Sequence, residues 1–192
     1  MKTLLAALTL LLCAAQARAE SPSPQPEKVQ LAILAGLLQP TVLHGFNAAL
    51  DVRYRRFAFN YSHGAALDYS ANPRFTLSDR DRRAGLQLHS PWSTGFGVGV
   101  TIVDHLYVLA DFKVHRYEAE LAGQEKRYTT ISIGGELGYR WFVYEGLFVN
   151  PTVRYWPTVW KSHDSVRVGD HKHEAKDLGL FANVSLGYAF DP

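Results

Sequence analysis

The feature that most constrains this chain is an alternation of apolar residues with small or polar residues at a period of two. In the last segment, every even position from Leu178 to Phe190 is apolar, while the odd positions carry mostly small or polar residues. The same pattern recurs in seven further segments, at 29–38, 46–55, 57–64, 95–102, 106–117, 129–143 and 147–159. Successive side chains of a β-strand point to opposite faces, so a period of two predicts strands. No window of about 18 apolar residues follows the first 19 residues, so the sequence predicts an all-β protein.

The face that is not apolar is small, rich in glycine and charged, and this composition separates two kinds of β-protein. A soluble sandwich turns its polar face to water and has little need of glycine there, whereas a narrow barrel must fit the side chains of all its strands into its lumen. Most segments also reach the roughly 9–11 residues that a tilted strand needs to cross a bilayer. The sequence therefore predicts an eight-stranded antiparallel up-and-down transmembrane β-barrel. A soluble, lipocalin-like barrel with its apolar face inside is the architectural alternative.

The connections between the segments sort by length. Counted from a periplasmic N-terminus, the inner turns are 55–56, 103–105 and 144–146, and the outer loops are 39–44, 67–91, 118–127 and 161–176. Short inner turns with longer outer loops are the rule in outer-membrane barrels, which also carry girdles of aromatic residues at the membrane interfaces. The predicted girdle residues are Tyr54, Trp141, Tyr188 and Phe190.

With these strands and connections, residues 29–190 resemble the small eight-stranded outer-membrane barrels that include the OmpA transmembrane domain and OmpX. The closing strand, from Val184 to Tyr188 and Phe190, resembles the C-terminal aromatic signal of that family. The resemblance implies a bacterial outer-membrane location, contact with outer-membrane lipids, and recognition of the closing strand by the barrel insertion machinery. The chain departs from the family in that Asp191-Pro192 follows Phe190, where the family usually ends on the aromatic residue.

The first 19 residues have the composition of a secretory signal peptide. Lys2 precedes an apolar run, and Ala17-Arg18-Ala19 has the small-x-small pattern of a cleavage site. Residues 20–28 form a Pro-rich leader, and 29–190 the barrel. Removing residues 1–19 takes two of the 20 basic residues and the single cysteine, which leaves 18 bases against 18 acids. This balance argues against a nucleic-acid partner, and the absence of thiols excludes disulfides and cysteine-based metal sites.

Charged residues on the small face are predicted to fill the lumen. They are Asp51, Arg53, Arg55, Asp111, Lys113, Glu136, Arg140 and Arg154. An uncompensated charge in a narrow interior is costly, so these side chains are expected to pair. One interpretation is a salt-bridge network that plugs the lumen. The alternative is a gate in which Glu136 and Arg140 exchange partners to open a narrow ion path.

Two of the outer loops carry weaker chemical signals. His171 and His173 could place two imidazoles on one side of an extended segment and bind zinc or copper, but the spacing fixes no third ligand, so no metal site is predicted. The 67–91 loop carries arginines that could contact lipid phosphates, although solvated charge of mixed sign is the simpler interpretation. These arginines are Arg74, Arg80, Arg82 and Arg83.

Ser62 and His63 are adjacent, which raises the question of catalysis. In a strand they point to opposite faces, so Ser62 would need a partner from another strand, such as His115 or Asp111. No catalytic residue and no cofactor is therefore predicted. The main hypothesis is a structural or surface-interaction role in an outer membrane, with the partner of the outer loops unidentified. A narrow channel or transporter for small solutes and a lipid-modifying enzyme are the alternatives.

Overall fold

The structure, a computed structural model, describes residues 28–190 apart from the side chain of Phe75. The predicted signal peptide, most of the Pro-rich leader and Asp191-Pro192 therefore lie outside the described residues. The strands are β1 (Gln30–Gly36), β2 (Phe46–Tyr54), β3 (Phe57–Asp68), β4 (Gln87–Val103), β5 (Leu106–Leu121), β6 (Gln124–Tyr139), β7 (Trp141–Tyr144), β8 (Leu147–Trp156), β9 (Thr158–Lys161), β10 (Ser165–Val168), β11 (His171–Glu174) and β12 (Gly179–Phe190). Three short helices are α1 (Leu38–Val42), α2 (Pro73–Thr76) and α3 (Asp79–Ala84).

These segments form a closed barrel of eight antiparallel strands. β6 and β7 make one barrel strand, interrupted at Arg140, and β8 and β9 make another, interrupted at Pro157, whose nitrogen cannot donate to the ladder. The barrel closes where β1 pairs with β12, with Leu31 opposite Phe190. The predicted eight-stranded antiparallel topology is confirmed.

The apolar face of the strands points outward. On β1, Leu31 and Ile33 are 44% and 53% exposed, while Ala32 and Leu34 between and beside them are buried. Phe59, Phe96 and Leu137 on other strands are exposed in the same way. This arrangement excludes the lipocalin-like alternative and makes the protein a transmembrane barrel, because only lipid can cover an apolar belt of this kind. Within residues 28–190, no helix is both long and apolar enough to cross a membrane.

The connections define two ends of the barrel. The inner end has the short turns that the sequence predicts, at Arg55-Arg56, Asp104-His105 and Glu145-Gly146. At the opposite, outer end, the predicted 118–127 loop is wrong. Here β5 and β6 continue to a two-residue turn, Ala122-Gly123, whose φ angles of +51° and +76° are left-handed, as tight hairpins require.

Beyond the apolar belt, the outer ends of β4, β5 and β6 carry a second core. β5 has 16 residues, more than the roughly 9–11 needed to cross a bilayer, so its last residues project past the belt. There the outer face of the strand becomes polar and its inner face apolar, since Glu118 and Glu120 face outward while Tyr117 and Ala119 are buried inside. The hairpin β10–β11 and the loop with α2 and α3 pack onto this region. We call it the outer cap, formed by the buried residues Leu43, Leu67, Tyr69, Leu86, Leu88, Tyr117, Ala119, Tyr128, Val166, Val168 and Ala175.

Candidate functional site in the lumen and the outer cap

The innermost charges of the lumen gather around Asp51, on β2. Arg140 places Nη2 2.5 Å from Asp51 Oδ2, and Arg53 Nη2 lies 3.5 Å from the same oxygen. Arg140 also donates to Gln30 Oε1 at 2.9 Å, and its guanidinium lies 4.8 Å from the centroid of the Phe148 ring. Because Arg140 sits at the interruption between β6 and β7, this cluster joins β1, β2 and β6 across the lumen.

A second pair lies one level further out. Glu136 on β6 forms an ion pair with Arg154, the residue directly opposite it on β8. The Tyr107 hydroxyl donates to Glu136 Oε1 at 2.9 Å and accepts from Asn150 Nδ2 at 2.9 Å. The Arg154 guanidinium stacks 5.2 Å from the Trp156 ring. Each charge therefore has an opposite charge, a hydrogen bond or an aromatic face beside it, as buried charges require.

The third level contains Asp111 and Lys113, both on β5. Asp111 accepts a hydrogen bond from Trp156 Nε1 at 3.1 Å, and Lys113 Nζ contacts Ser62 Oγ and lies 5.4 Å from the Trp156 ring. Gly97 on β4 leaves room for these groups, since a Cβ there would meet the Asp111 carboxylate. Glycine on the inner face thus makes space for long charged side chains, as the sequence analysis assumed.

Arg55 does not lie in the lumen, although its position in the alternation placed it there. β2 ends at Tyr54, and Arg55 occupies the inner turn with φ +51°, exposed and stacked 5.5 Å from the Tyr54 ring. The turn ends the alternation two residues after Arg53, so inward parity no longer applies.

A carboxylate that the alternation pattern does not single out lies at the outer end of the lumen. Asp177 precedes β12 and accepts hydrogen bonds from the hydroxyls of Tyr117 (3.0 Å), Thr130 (2.5 Å), Ser132 and Thr158 (3.2 Å). These four donors come from β5, β6 and β9, so Asp177 ties the end of the last outer loop to three barrel segments. No residue spacing indicates this role, because Asp177 is a single loop aspartate.

Asp177 also balances the charges of the lumen. Without Arg55, the predicted set contains four bases (Arg53, Lys113, Arg140 and Arg154) and three acids (Asp51, Asp111 and Glu136), all of them buried. The Asp177 carboxylate, which reaches the fully buried Ser132, supplies the fourth acid. The interior is therefore formally neutral, which limits the cost of burying its charges.

The two loop histidines contact one carboxylate across the outer cap. His171 Nε2 lies 2.7 Å from Asp81 Oδ1, and His173 Nδ1 lies 3.2 Å from Asp81 Oδ2, with all three side chains at most 10% exposed. His173 Nε2 also lies 2.9 Å from the Tyr128 hydroxyl. The imidazoles thus meet different oxygens of Asp81, and within residues 28–190 no three His, Cys, Asp or Glu side chains are arranged to hold a metal ion.

The surroundings of this contact shift the pKa values of both His173 and Asp81. Burial lowers the pKa of His173, although Asp81 opposes the shift. Burial acts to raise the pKa of Asp81, but hydrogen bonds from His171 and Ser78 outweigh it and hold that pKa below its ordinary value. At neutral pH, Asp81 of α3 is therefore hydrogen-bonded to the imidazoles of β11. This contact joins two outer loops that are about 90 residues apart in the chain.

The loop arginines and the Ser-His pair are placed separately from these clusters. Arg82 pairs with Asp79 at 2.8 Å. The loop arginines are all exposed, and they are Arg74, Arg80, Arg82 and Arg83. Ser62 points into the barrel and contacts Lys113, while His63 lies on the opposite face of β3.

The predicted girdle residues lie on the exterior at the inner end. Trp141 is 64% exposed, Tyr54 44%, Tyr188 45% and Phe190 46%, and the rings of Tyr188 and Phe190 pack edge to face at 5.3 Å. The outer end of the belt carries exposed aromatics that the sequence analysis did not assign to a girdle. They are Trp92, Tyr155 and Trp160.

Together, the apolar exterior, the paired charges inside and the packed outer cap define an eight-stranded transmembrane β-barrel. No protein-family model matches the chain, and no curated protein matches it. Among solved structures, it is similar to a major outer membrane protein of Thermus thermophilus, with 14% identity, 85% of this chain and 98% of that chain covered, and a TM-score of 0.45.

Two further solved structures are similar at the same level. Ail, the attachment invasion locus protein of Yersinia pestis, has 13% identity over 84% of this chain and 96% of its own, with a TM-score of 0.40. Neisserial surface protein A has 14% identity over 85% of this chain and 94% of its own, with a TM-score of 0.40. At these identities and scores, the similarities assign no function to this chain.

Proposed function

We propose that the protein is a bacterial outer-membrane barrel with a plugged lumen and a structural or surface-interaction role. Residues 1–19 would direct export, residues 20–28 would be the leader, and the closing strand β12 would be read by the insertion machinery. The outward belt that includes Ile33, Phe59 and Leu137 supports contact with membrane lipids. The exposed aromatics at each end of the belt suit the two interfaces, where one side of a ring meets lipid and the other water.

The observation that carries the plug is the succession of contacts along the lumen. Asp51 with Arg140, Glu136 with Arg154, Asp111 with Trp156, and Asp177 with Ser132 follow one another from the inner to the outer end. An eight-stranded barrel has little interior beyond what its own side chains fill. The paired charges would therefore hold the strands together instead of lining a water-filled path.

The outer cap supports a role at the cell surface. Its hairpin β10–β11 is joined to helix α3 through the contact of His171 with Asp81, and the segment that follows the hairpin is joined to the barrel through Asp177. A loop region fixed in this way presents a defined surface, which a partner can bind without ordering it first.

Single-channel recording tests the proposal. The mature protein, with folded insertion confirmed, is expected to give no reproducible conductance steps in a planar bilayer. Glu136→Ala, which removes one partner of a central pair, tests the gate. Asp164→Asn is the control, because Asp164 is 94% exposed in an outer loop. Reproducible steps in the unaltered protein, changed by Glu136→Ala and not by Asp164→Asn, would support the channel instead. A change in lipid mass in the host membrane on expression would support the lipid-modifying enzyme.

A further inference from the structure

A cavity of about 220 Å³ lies in the outer cap, above the charged lumen. Its walls come from the loop that carries α2 and α3, from β4 and β5, from β11, and from the segment that leads into β12. Leu77, Leu88 and Leu178 provide apolar surface, and Tyr69 and Tyr117 provide two aromatic rings. At about 30 Å³ per water molecule, the space corresponds to about seven waters, which is the size of a small organic molecule.

The rings of Tyr69 and Tyr117 lie on the lining of the cavity, with centroids 5.6 Å apart and planes inclined at 59°. Tyr117 also stacks on Tyr128 at 5.0 Å and on His115 at 5.8 Å, so its faces are already covered. Burial raises the pKa of Tyr69 to about 12, so its phenol is neutral at any physiological pH. Neutral aromatic faces carry the negative part of the ring quadrupole, and they attract a cation that lies within about 6 Å.

The charged groups on the lining add to this attraction. Asp177 accepts hydrogen bonds from four hydroxyl groups. Among the described residues, no Lys, Arg or His side chain forms an ion pair with it. Asp81 and His173 also line the cavity, and Asp81 is paired with His171 and His173. The one Lys on the lining, Lys176, is 57% exposed and pairs with Glu174 at 3.3 Å. Of the two carboxylates on the lining, Asp177 is therefore the one without a Lys, Arg or His partner among the described residues.

The hydrogen-bonding state of Asp177 narrows the choice of cation. Its two oxygens already accept four hydrogen bonds, about the number that a carboxylate can accept. A primary ammonium or a hydrated metal ion needs acceptors of its own, and Asp177 has none to spare. A cation that carries its charge on apolar methyl groups needs no acceptor, and aromatic faces are the surfaces on which such cations bind in proteins.

We propose that this cavity binds a small quaternary ammonium ion, with its charged head against the Tyr69 ring and Asp177 and its apolar surface against the leucines. The attraction comes from the carboxylate charge and the face of the Tyr69 ring together, and the size of the cavity matches a choline-sized molecule. The site faces the outer end of the barrel, so ligand reaches it without crossing the plugged lumen.

Isothermal titration with choline tests the inference. The mature protein is refolded in a maltoside detergent, because phosphocholine detergents would compete for the site. Choline is expected to bind with a dissociation constant of about 1 mM or tighter. The neutral isostere 3,3-dimethyl-1-butanol, in which carbon replaces the charged nitrogen, is expected to bind at least about tenfold more weakly.

Two substitutions and a control locate the binding. Asp177→Asn is expected to weaken choline binding about tenfold, since it removes the charge but keeps an acceptor for the hydroxyl donors. Leu77→Lys, at a half-buried position of the wall, places a cation in the cavity and abolishes binding without touching Asp177. Asp164→Asn, an exposed aspartate of the same outer loop, leaves binding unchanged.

Three results would overturn the inference. They are an absence of choline binding to the unaltered protein at concentrations of roughly 50 mM, binding of the neutral isostere as tightly as choline, and retention of full affinity by Leu77→Lys. If Asp177→Asn does not fold, the comparison of choline with its isostere and the Leu77→Lys variant still decide the question.

Discussion

Replacing Glu136 with Gln measures how much one ion pair of the lumen contributes to the free energy of unfolding of the barrel. The Glu136 side chain is 2% exposed and that of Arg154 is 8% exposed, so bulk water solvates neither charge. Gln keeps the size of the side chain and an oxygen that can still accept from the Tyr107 hydroxyl. The change therefore removes the negative charge opposite Arg154 and little else.

The expected cost follows from the burial of the pair. Removing one partner of a buried ion pair costs about 3–5 kcal/mol, because the remaining charge is left uncompensated. Two features place this case near the lower limit. Asp111 lies close enough to interact with Arg154, and the Trp156 ring stacks on the Arg154 guanidinium. We expect Glu136→Gln to lower the free energy of unfolding by about 3 kcal/mol, a shift of roughly a hundredfold in the folding equilibrium.

Urea unfolding in lipid vesicles measures this loss. Tryptophan fluorescence follows the transition, and a smaller urea midpoint with an unchanged slope identifies a change in stability alone. The double variant Glu136→Gln with Arg154→Met removes both charges, and it is expected to recover most of the loss because no unpaired charge remains. Asp164→Asn, which disrupts an exposed pair with Lys161 at 3.4 Å, is expected to leave the midpoint unchanged.

Either of two results would refute this reasoning. A loss below about 1 kcal/mol for Glu136→Gln would mean that the Glu136–Arg154 pair is hydrated, as a water-filled path requires. A double variant that loses the sum of the two single losses would mean that the two side chains contribute independently, and not as a pair.

Three further predictions concern the ends and the walls of the barrel. Burial in the outer cap lowers the pKa of His173. The folded outer cap therefore keeps its full stability above pH 6.5, the ordinary pKa of histidine, and loses stability as the pH falls below that value. Hydrogen exchange of β11, corrected for intrinsic rates, should show less protection at pH 5 than at pH 7 in the unaltered protein and no such difference in His173→Gln. A Cβ at Gly138 would meet the Tyr107 ring, so Gly138→Ala is expected to cost about 1–3 kcal/mol in urea unfolding, whereas Gly135→Ala, whose nearest neighbour is 3.6 Å away, should cost less. Trp141→Ala should cost about 2 kcal/mol in vesicles, since the exposed indole leaves water only when the barrel inserts, and an unchanged midpoint would remove Trp141 from the girdle.

The strands and their orientation could be predicted because the membrane imposes a rule on every residue of the belt. Lipid accepts only apolar side chains outside, and the narrow lumen accepts small or paired polar ones inside, so each position reports its own face. For this reason Leu31, Ile33 and the even positions of β12 identified both the strands and the direction in which they face. The prediction that Arg55 faces the lumen was wrong only because its strand ends one residue earlier, at Tyr54.

Interactions between loops could not be predicted, because they depend on how separate parts of the chain come together. Asp81 and His171 are far apart in sequence and meet through the packing of α3 on β11. Asp177 gathers hydroxyls from three barrel segments, and each of those residues looks like an ordinary inward-facing Thr, Ser or Tyr in its own strand. The alternation gives which side chains face inward, but it does not give which of them touch.

The failure of the predicted 118–127 loop has a physical cause that also locates the edge of the membrane. On β5, Asp111 and Lys113 face inward and Phe112 and Val114 face outward, as lipid requires, but past Arg116 the buried positions are Tyr117 and Ala119, and Glu118 and Glu120 face outward. When a strand leaves lipid for water, polar residues must replace apolar ones on its outer face and apolar residues must replace polar ones on its inner face, because the outer face is then hydrated while the inner face packs against loops. The exchange interrupts the pattern that identifies a membrane strand, so the sequence of a continuous strand resembles a loop where it crosses the interface. The change in polarity therefore places the outer boundary of the membrane near Arg116, with the cavity beside Tyr117 on the aqueous side of it.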